Sequence, residues 1–257
     1  MQGDARSAHG ATFRLDGQVV LVSGAGRGIG RGCALALAGA GAEVIALSRT
    51  AAELDSLVAE IAAAGGRARA LVCDVTERAA VRAAIERLER LDVLLNNAGS
   101  NQPQPFLEVE DAVLDRLLDL NLRAAFVVAQ AAARVMARGG GGAIVNMSSQ
   151  MGHTGSARRS VYCATKHAIE GLTKAMAVDL APYNIRVNAV APTFVDTPMT
   201  RPFFADPAFE AMVMGKILPG RLARVEEVAA AVVYLASPAA AMVTGTSLRV
   251  DGGWTAH

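Results

Sequence analysis

From Gln18 onward the chain alternates short apolar runs rich in β-branched residues with longer alanine- and leucine-rich segments whose apolar positions recur at helical spacing. QVVLVS, EVIALS, ARALVCD, VLLNN, AIVNMS, IRVNAVA and SLRVDGG read as seven strands. Helices are expected over RGCALALAGA, TAAELDSLVAEIAAA, Val75 to Arg90, Glu110 to Arg138, Ser160 to Ala181 and VEEVAAAVVYLAS. Strands joined by helix-length connections pair in parallel through right-handed crossovers. The pattern therefore predicts an α/β fold, a doubly wound and mainly parallel seven-stranded sheet with helices on both faces. It also predicts one domain over 15–257, preceded by a flexible leader over 1–14, with no internal repeat.

Composition narrows the function. Of 257 residues, 52% are hydrophobic and 19% charged, with a mean hydropathy of +0.31, which suits a globular chain with a large core. A net charge of +1 offers no electrostatic footprint for nucleic acid or an anionic membrane. The first fourteen residues contain no apolar signal-peptide core, and no run approaches transmembrane length, so a soluble, cytoplasmic protein is expected. Cys33, Cys73 and Cys163 have neither disulfide-framework nor zinc-site spacing, and no metal site is expected.

Between the first strand and its helix lies SGAGRGIG, with Gly24, Gly28 and Gly30 at glycine-x3-glycine-x-glycine spacing. Such a turn brings backbone close to a pyrophosphate, which rests on the helix N-terminus where free amides and the dipole favour anions. The glycines alone would equally suit a tight turn that binds nothing; the flanking strand and helix favour a dinucleotide. At the end of the second strand, where an acidic residue would accept from the ribose hydroxyls of NAD, the chain has Ser48 and Arg49, with Arg27 in the glycine loop. Arginine forks suit a 2′-phosphate, so NADP is the expected cofactor, with NAD as the alternative if Arg49 is merely a solvated surface residue.

Tyr162 and Lys166 lie four residues apart on a predicted helix and so share one face. Ser149 stands thirteen residues before the tyrosine at the end of the fifth strand, where it can meet that face. A lysine cation close to the phenol is expected to lower its pKa by roughly 1–3 from ~10, making Tyr162 a general acid/base. Ser149 would hydrogen-bond a substrate oxygen on which charge develops.

These features, from Phe13 to the C-terminus and in this order, resemble the short-chain dehydrogenase/reductases of the single-domain, NADP-preferring branch. The resemblance rests on the glycine turn, Asp74, the NNAG run from Asn96 to Gly99, Asn121, Ser149 and the YxxxK pair. It implies a Rossmann-type sheet and a catalytic set of Asn121, Ser149, Tyr162 and Lys166, with Asn121 supporting a proton-relaying water. It further implies cofactor contacts from Ile29, Asp74, Val75, Asn96, Asn97, Ala98, Gly99, Pro192, Thr193, Val195 and Thr197, with Lys166 also holding the nicotinamide ribose. Family spacing selects Ser149 over its neighbour Ser148. Pro192-Thr193 departs from the family's usual Pro-Gly, so Thr193 is expected to stiffen or reshape that turn.

The substrate is expected to be a small carbonyl compound or alcohol. Pro198 to Pro219 interrupts the strand–helix rhythm and suits a lid, bounded more widely as 193–219. Its Met199, Phe203, Phe204, Met212 and Met214 favour a hydrophobic or mixed substrate, unless they simply pack the lid to the body. That apolar character is mildly unfavourable for a sugar or polyol dehydrogenase. His153, Arg158 and Arg159 lie where they could meet a carboxylate or phosphate, although solvated surface charge is the commoner role. The same arginines would have to build the docking patch of a 3-oxoacyl carrier-protein reductase. His167 and Cys163 are expected to be structural. A silent dinucleotide sensor on the same fold is the non-enzyme alternative. The last strand and tail, VTGTSLRVDGGW, resemble the family's interface-forming segment and imply a homotetramer.

Overall fold

The computed structural model describes residues 13–256, so the expected leader lies outside the described residues apart from Phe13 and Arg14. Seven strands form one sheet: β1 (Val19–Ser23), β2 (Glu43–Ser48), β3 (Arg67–Val72), β4 (Val93–Asn96), β5 (Gly142–Met147), β6 (Ile185–Pro192) and β7 (Ser247–Val250). Their order is β3-β2-β1-β4-β5-β6-β7, and all neighbours are parallel. The chain reverses its direction of travel between β1 and β4, which opens a crevice at the strands' C-terminal ends.

The side-chain alternation of each strand divides the core in two. Val20, Val22, Val44 and Ala46 face one layer with Leu37 of α1 (Gly28–Gly39), Leu54 and Leu57 of α2 (Ala51–Ala63), and Val228 and Val232 of α8 (Val225–Ala236). Leu21, Ile45 and Leu47 face the other, with Val81 and Ile85 of α3 (Arg78–Glu86), Val128 and Val135 of α5 (Ala125–Gly139), and Ala177 of α6 (Ser160–Leu180). Because both faces are covered, β1 and β4 read as nearly continuous apolar runs.

Three elements differ from the sequence expectation. The helix expected over Glu110 to Arg138 is divided into α4 (Asp111–Leu118), a π-helical turn over Asp119–Ala124, and α5. The segment expected as an irregular lid contains a 3₁₀ turn at Arg201–Ala205 and a helix, α7 (Pro207–Met214). Asp206 caps α7 by accepting from the Ala208 amide at 3.0 Å, and Pro207 occupies the first helical position. The third helix is also shorter than expected, because Asp74 accepts from the Thr76 amide and hydroxyl at 2.9 and 2.8 Å and holds that stretch as a turn.

Candidate active site

A cleft of about 800 Å³ follows the crevice from the glycine turn to the foot of α6. At its outer end Gly24 adopts φ +66, and a Cβ there would stand 3.0 Å from the Ala98 Cα. A Cβ on Gly30 would collide with the Gly24 carbonyl oxygen and come within 2.5 Å of the Asn97 amide nitrogen. Asn97 ties the two segments together by donating to the Ser23 carbonyl at 3.0 Å, while the Ser23 hydroxyl accepts from the Asn97 and Ala98 amides at 2.9 and 3.1 Å. α1 begins beside this cradle with no side-chain cap and no acidic residue in its first turn, leaving its amides for an anion. A backbone cradle in which added side chains would collide, opening onto free helix amides, fits a dinucleotide pyrophosphate.

Arg27, Gly28, Ile29, Ser48, Arg49, Asp74, Val75, Ala98 and Gly99 line the same end of the cleft. Arg49 is 77% exposed and stands 3.6 Å from the Asp74 carboxylate. The Thr76 backbone hydrogen bond holds the Asp74 carboxyl below its usual range, with Arg49 adding to the effect. Asn96 does not join this lining. It is buried, and its amide donates to the Ala125 carbonyl at 2.8 Å and to Asn146 at 3.2 Å, so it braces β4 against β5 from behind the cleft. Pro192, Thr193, Val195 and Thr197 line the inner wall. Thr193 does not need glycine's freedom: the only non-glycine residues with positive φ among those described are Arg158 and Asn184.

Ser149, Tyr162 and Lys166 converge where β5 meets α6. Tyr162 and Ser149 both line the inner end of the cleft, and the serine hydroxyl favours the phenolate. The Lys166 ammonium lies 5.6 Å from the Tyr162 ring centroid and donates to the Met147 carbonyl at 2.7 Å. Burial pushes the Tyr162 phenol up to about 12, against the Ser149 hydroxyl, and pushes Lys166 down to about 8, against the Glu170 carboxylate. The expected net lowering of the tyrosine pKa is therefore not found. The cation faces the ring, and desolvation of the phenolate is the larger effect.

Asn121 is buried within the π-helical turn. Its side chain accepts from the Ser100 amide and donates to the Ser100 carbonyl, both at 2.8 Å, and donates to Thr165 at 3.2 Å. These bonds clamp the segment after β4 onto α6. His153 lies outside the cleft lining; its Nε2 is 3.2 Å from Glu170 and 3.1 Å from Ser247. Met199 and Phe203 do line the cleft. Arg158 is exposed, but Arg159 is 6% exposed and stands over the rings of Phe194, Phe203 and Phe209. Sequence reasoning missed Gln150, whose amide oxygen accepts from the Ser149 hydroxyl at 2.6 Å; its place next to Ser149 was the available signal.

No described helix is long and apolar enough to cross a membrane. A family model described as Enoyl-(Acyl carrier protein) reductase matches residues 24–255. L-xylulose reductase of Bos taurus is 45% identical over 244 residues, covering 95% of this chain and 98% of the relative. D-threitol dehydrogenase of Mycolicibacterium smegmatis is 39% identical, covering 95% of each. A gluconate 5-dehydrogenase from Burkholderia cenocepacia J2315, solved in complex with NADP and tartrate, superposes with a TM-score of 0.92 at 38% identity, covering 95% of this chain and 98% of that one. With the glycine cradle and the serine, tyrosine and lysine of β5 and α6 in one cleft, these likenesses show that the chain belongs to the short-chain dehydrogenase/reductase family of NAD(P)-dependent oxidoreductases acting on CH–OH and C=O groups.

Proposed function

We propose that the chain interconverts a secondary alcohol and a ketone on a small polyhydroxylated molecule, with NADP(H) as hydride carrier. The observation that carries this reading is the convergence of Ser149, Tyr162 and Lys166 at the inner end of the cleft that begins at the glycine turn. The nicotinamide supplies or accepts the hydride when bound. In reduction, negative charge grows on the substrate oxygen, and the Ser149 hydroxyl turns from Gln150 to donate to it. Tyr162 is protonated at neutral pH because burial raises it, and delivers its proton to the same oxygen. Lys166, still charged below about 8, stabilises the phenolate left behind. Oxidation runs these proton movements in reverse. Asn121 serves as a positioning residue for the Ser100 backbone and Thr165.

Arg27 and Arg49 support NADP over NAD, since both line the end of the cleft where a 2′-phosphate would lie and the C-terminal end of β2 carries Ser48 and Arg49 in place of a carboxylate. The gluconate 5-dehydrogenase solved with NADP adds to that support. For the substrate, buried polar atoms carry more weight than the lid's apolar residues. Asn101 Oδ1, Gln150 Nε2 and Thr193 Oγ1 belong to cleft-lining residues and have no hydrogen-bond partner. Hydroxyl groups on a bound substrate would satisfy them. The relatives named for L-xylulose and D-threitol agree with that chemistry. A 3-oxoacyl carrier-protein reductase is disfavoured because the buried Arg159 cannot join a docking patch.

Residues 193–219 act as the lid of a single domain over 15–257. The assembly is a homotetramer, a reading supported by apolar side chains left exposed on α5 and α6, Phe126 and Val178. The location is cytoplasmic, in keeping with three free cysteines. Replacing Tyr162 with phenylalanine tests the reading: turnover should fall about 100- to 10,000-fold while NADPH binding, followed by fluorescence, persists. Undiminished turnover of an accepted substrate would instead favour a different acid/base, and an absence of turnover across a ketose and polyol panel would favour a dinucleotide sensor.

A further inference from the structure

Arg159 is a buried cation that the chemistry above leaves without a task. It immediately precedes α6, three residues before Tyr162, and its charge acts on the phenol, favouring the phenolate. Its guanidinium carbon lies 5.0 Å from the Phe209 centroid, 5.1 Å from Phe203 and 5.7 Å from Phe194. Phe194 and Phe203 are themselves part of the cleft wall, one just past β6 and the other in the lid's 3₁₀ turn. No carboxylate among the described residues pairs with Arg159. Its Nε has no partner, and its one hydrogen bond is a 3.5 Å contact from Nη1 to the Ala157 carbonyl.

A guanidinium carries five N–H donors in a fork matched to a planar anion. Three aromatic faces recover part of the cost of burying its charge, but they accept none of those N–H groups. Burying a charge without a hydrogen-bonded counter-ion is costly, and a binding site is where such a counter-ion can arrive with the ligand. The neighbouring Arg158 cannot make a two-cation site: its backbone is at φ +61, its side chain is exposed, and its carbonyl accepts from the Gln104 amide at 2.8 Å. A single enclosed guanidinium suits a singly charged carboxylate better than a phosphate dianion.

We propose that Arg159 receives a carboxylate on the substrate, so that the preferred substrates are short polyhydroxy acids and their keto forms. Phe203 is the movable wall between guanidinium and cleft, carried on the lid, and its displacement lets the carboxylate reach the Arg159 fork. The aromatic rings hold the guanidinium in place for that approach and keep water from competing for it. This inference rests on the hydride-transfer reading for the reaction, but the recognition it describes can be tested without turnover.

Threonate and threitol differ only in a carboxylate in place of one terminal CH₂OH. The wild-type protein with saturating NADP should prefer threonate in kcat/KM by at least tenfold, chiefly through KM. That preference ratio should collapse at least tenfold in Arg159→Met and be partly restored in Arg159→Lys. Because a ratio within one variant is read, partial loss of folded protein does not disguise the outcome. In parallel, calorimetry on the NADP complex should find tartrate binding the wild type at least tenfold more tightly than threitol, with the difference lost in Arg159→Met. Equal binding of tartrate and threitol to the wild type, or a ratio unchanged by Arg159→Met, would overturn the proposal. Tartrate binding through Arg159 without turnover of any alcohol would leave the carboxylate site standing and refute the hydride-transfer reading instead.

Discussion

Lys166 is held charged in a site that disfavours its charge, and replacing it with methionine should therefore change stability in a pH-dependent way. Burial lowers its pKa from 10.5 to about 8, with Glu170 only partly opposing the effect. In the unfolded chain the lysine retains its ordinary value, so between these limits the unfolded state binds more protons than the folded state. Stability contributed by Lys166 is thus fully present above 10.5 and lost as pH falls through 8. Integrated from pH 7 to pH 10, that linkage makes the cofactor-free wild type more stable by about 2–3 kcal/mol. Lys166→Met has no such term. At pH 7 the variant escapes the buried charge but forfeits the 2.7 Å hydrogen bond to the Met147 carbonyl, a charged bond worth about 1.5–3 kcal/mol. The two effects nearly cancel there, while at pH 10 the variant should be the less stable by about 2 kcal/mol or more. Urea unfolding of both proteins at pH 7, 8.5 and 10, at one protomer concentration, reads the difference. Tyr162 and Cys33, both raised to about 12, stay protonated in both folded proteins over this range and drop out. A stability difference that stays constant across this range would refute the account of Lys166 as a buried charge.

Two further outcomes follow from the cofactor end of the cleft. Gly30→Ala should bring its Cβ into the Gly24 carbonyl and the Asn97 amide, destabilising the fold by about 1–3 kcal/mol and weakening NADPH binding at least tenfold. Unchanged thermal midpoint and affinity would mean that the turn relaxes freely. Arg49→Ala should raise the KM for NADPH about tenfold or more through loss of a charged hydrogen bond and leave that for NADH within about threefold. An equal rise for both cofactors would remove Arg49 from phosphate recognition.

The alternation of strands and helices was legible because parallel strands buried on both faces are nearly continuous apolar runs, as in β1 and β4. The tyrosine–lysine pair was equally legible, since helical spacing alone fixes one shared face. Asn96 and Asn97 show where such reasoning stops. Adjacent residues at a strand end point to opposite sides, and only the register of β4 against β5 decides that Asn96 turns inward to Asn146 while Asn97 reaches the glycine turn. The π-helical turn at Asn121 left no mark because apolar positions continue through it at helical spacing; its signature is a hydrogen-bond slip. His153 was misplaced for a simpler reason: its partner Ser247 stands 94 residues away in sequence.

The lid carries the sharpest instance, because its composition left open a hydrophobic or mixed substrate or plain packing to the body, and the packing accounts for most of it. Phe204 and Phe209 stack around Phe194, which also meets Trp254 at 5.7 Å, and Val213 and Ile217 complete this separate apolar cluster. Those side chains serve mainly to hold the lid to the end of β6 and to enclose Arg159, while Phe194, Val195, Pro198, Met199 and Phe203 form the lid's apolar contribution to the cleft wall. The atoms left wanting partners at the inner end are polar, from Asn101, Gln150 and Thr193, together with the guanidinium behind Phe203. Apolar groups can be satisfied by one another, so their abundance in a lid says little about the ligand. Buried polar atoms without partners constrain the ligand far more, since each is costly until something fills it. The same cleft can therefore be closed by an apolar lid and still select a hydroxylated, anionic substrate.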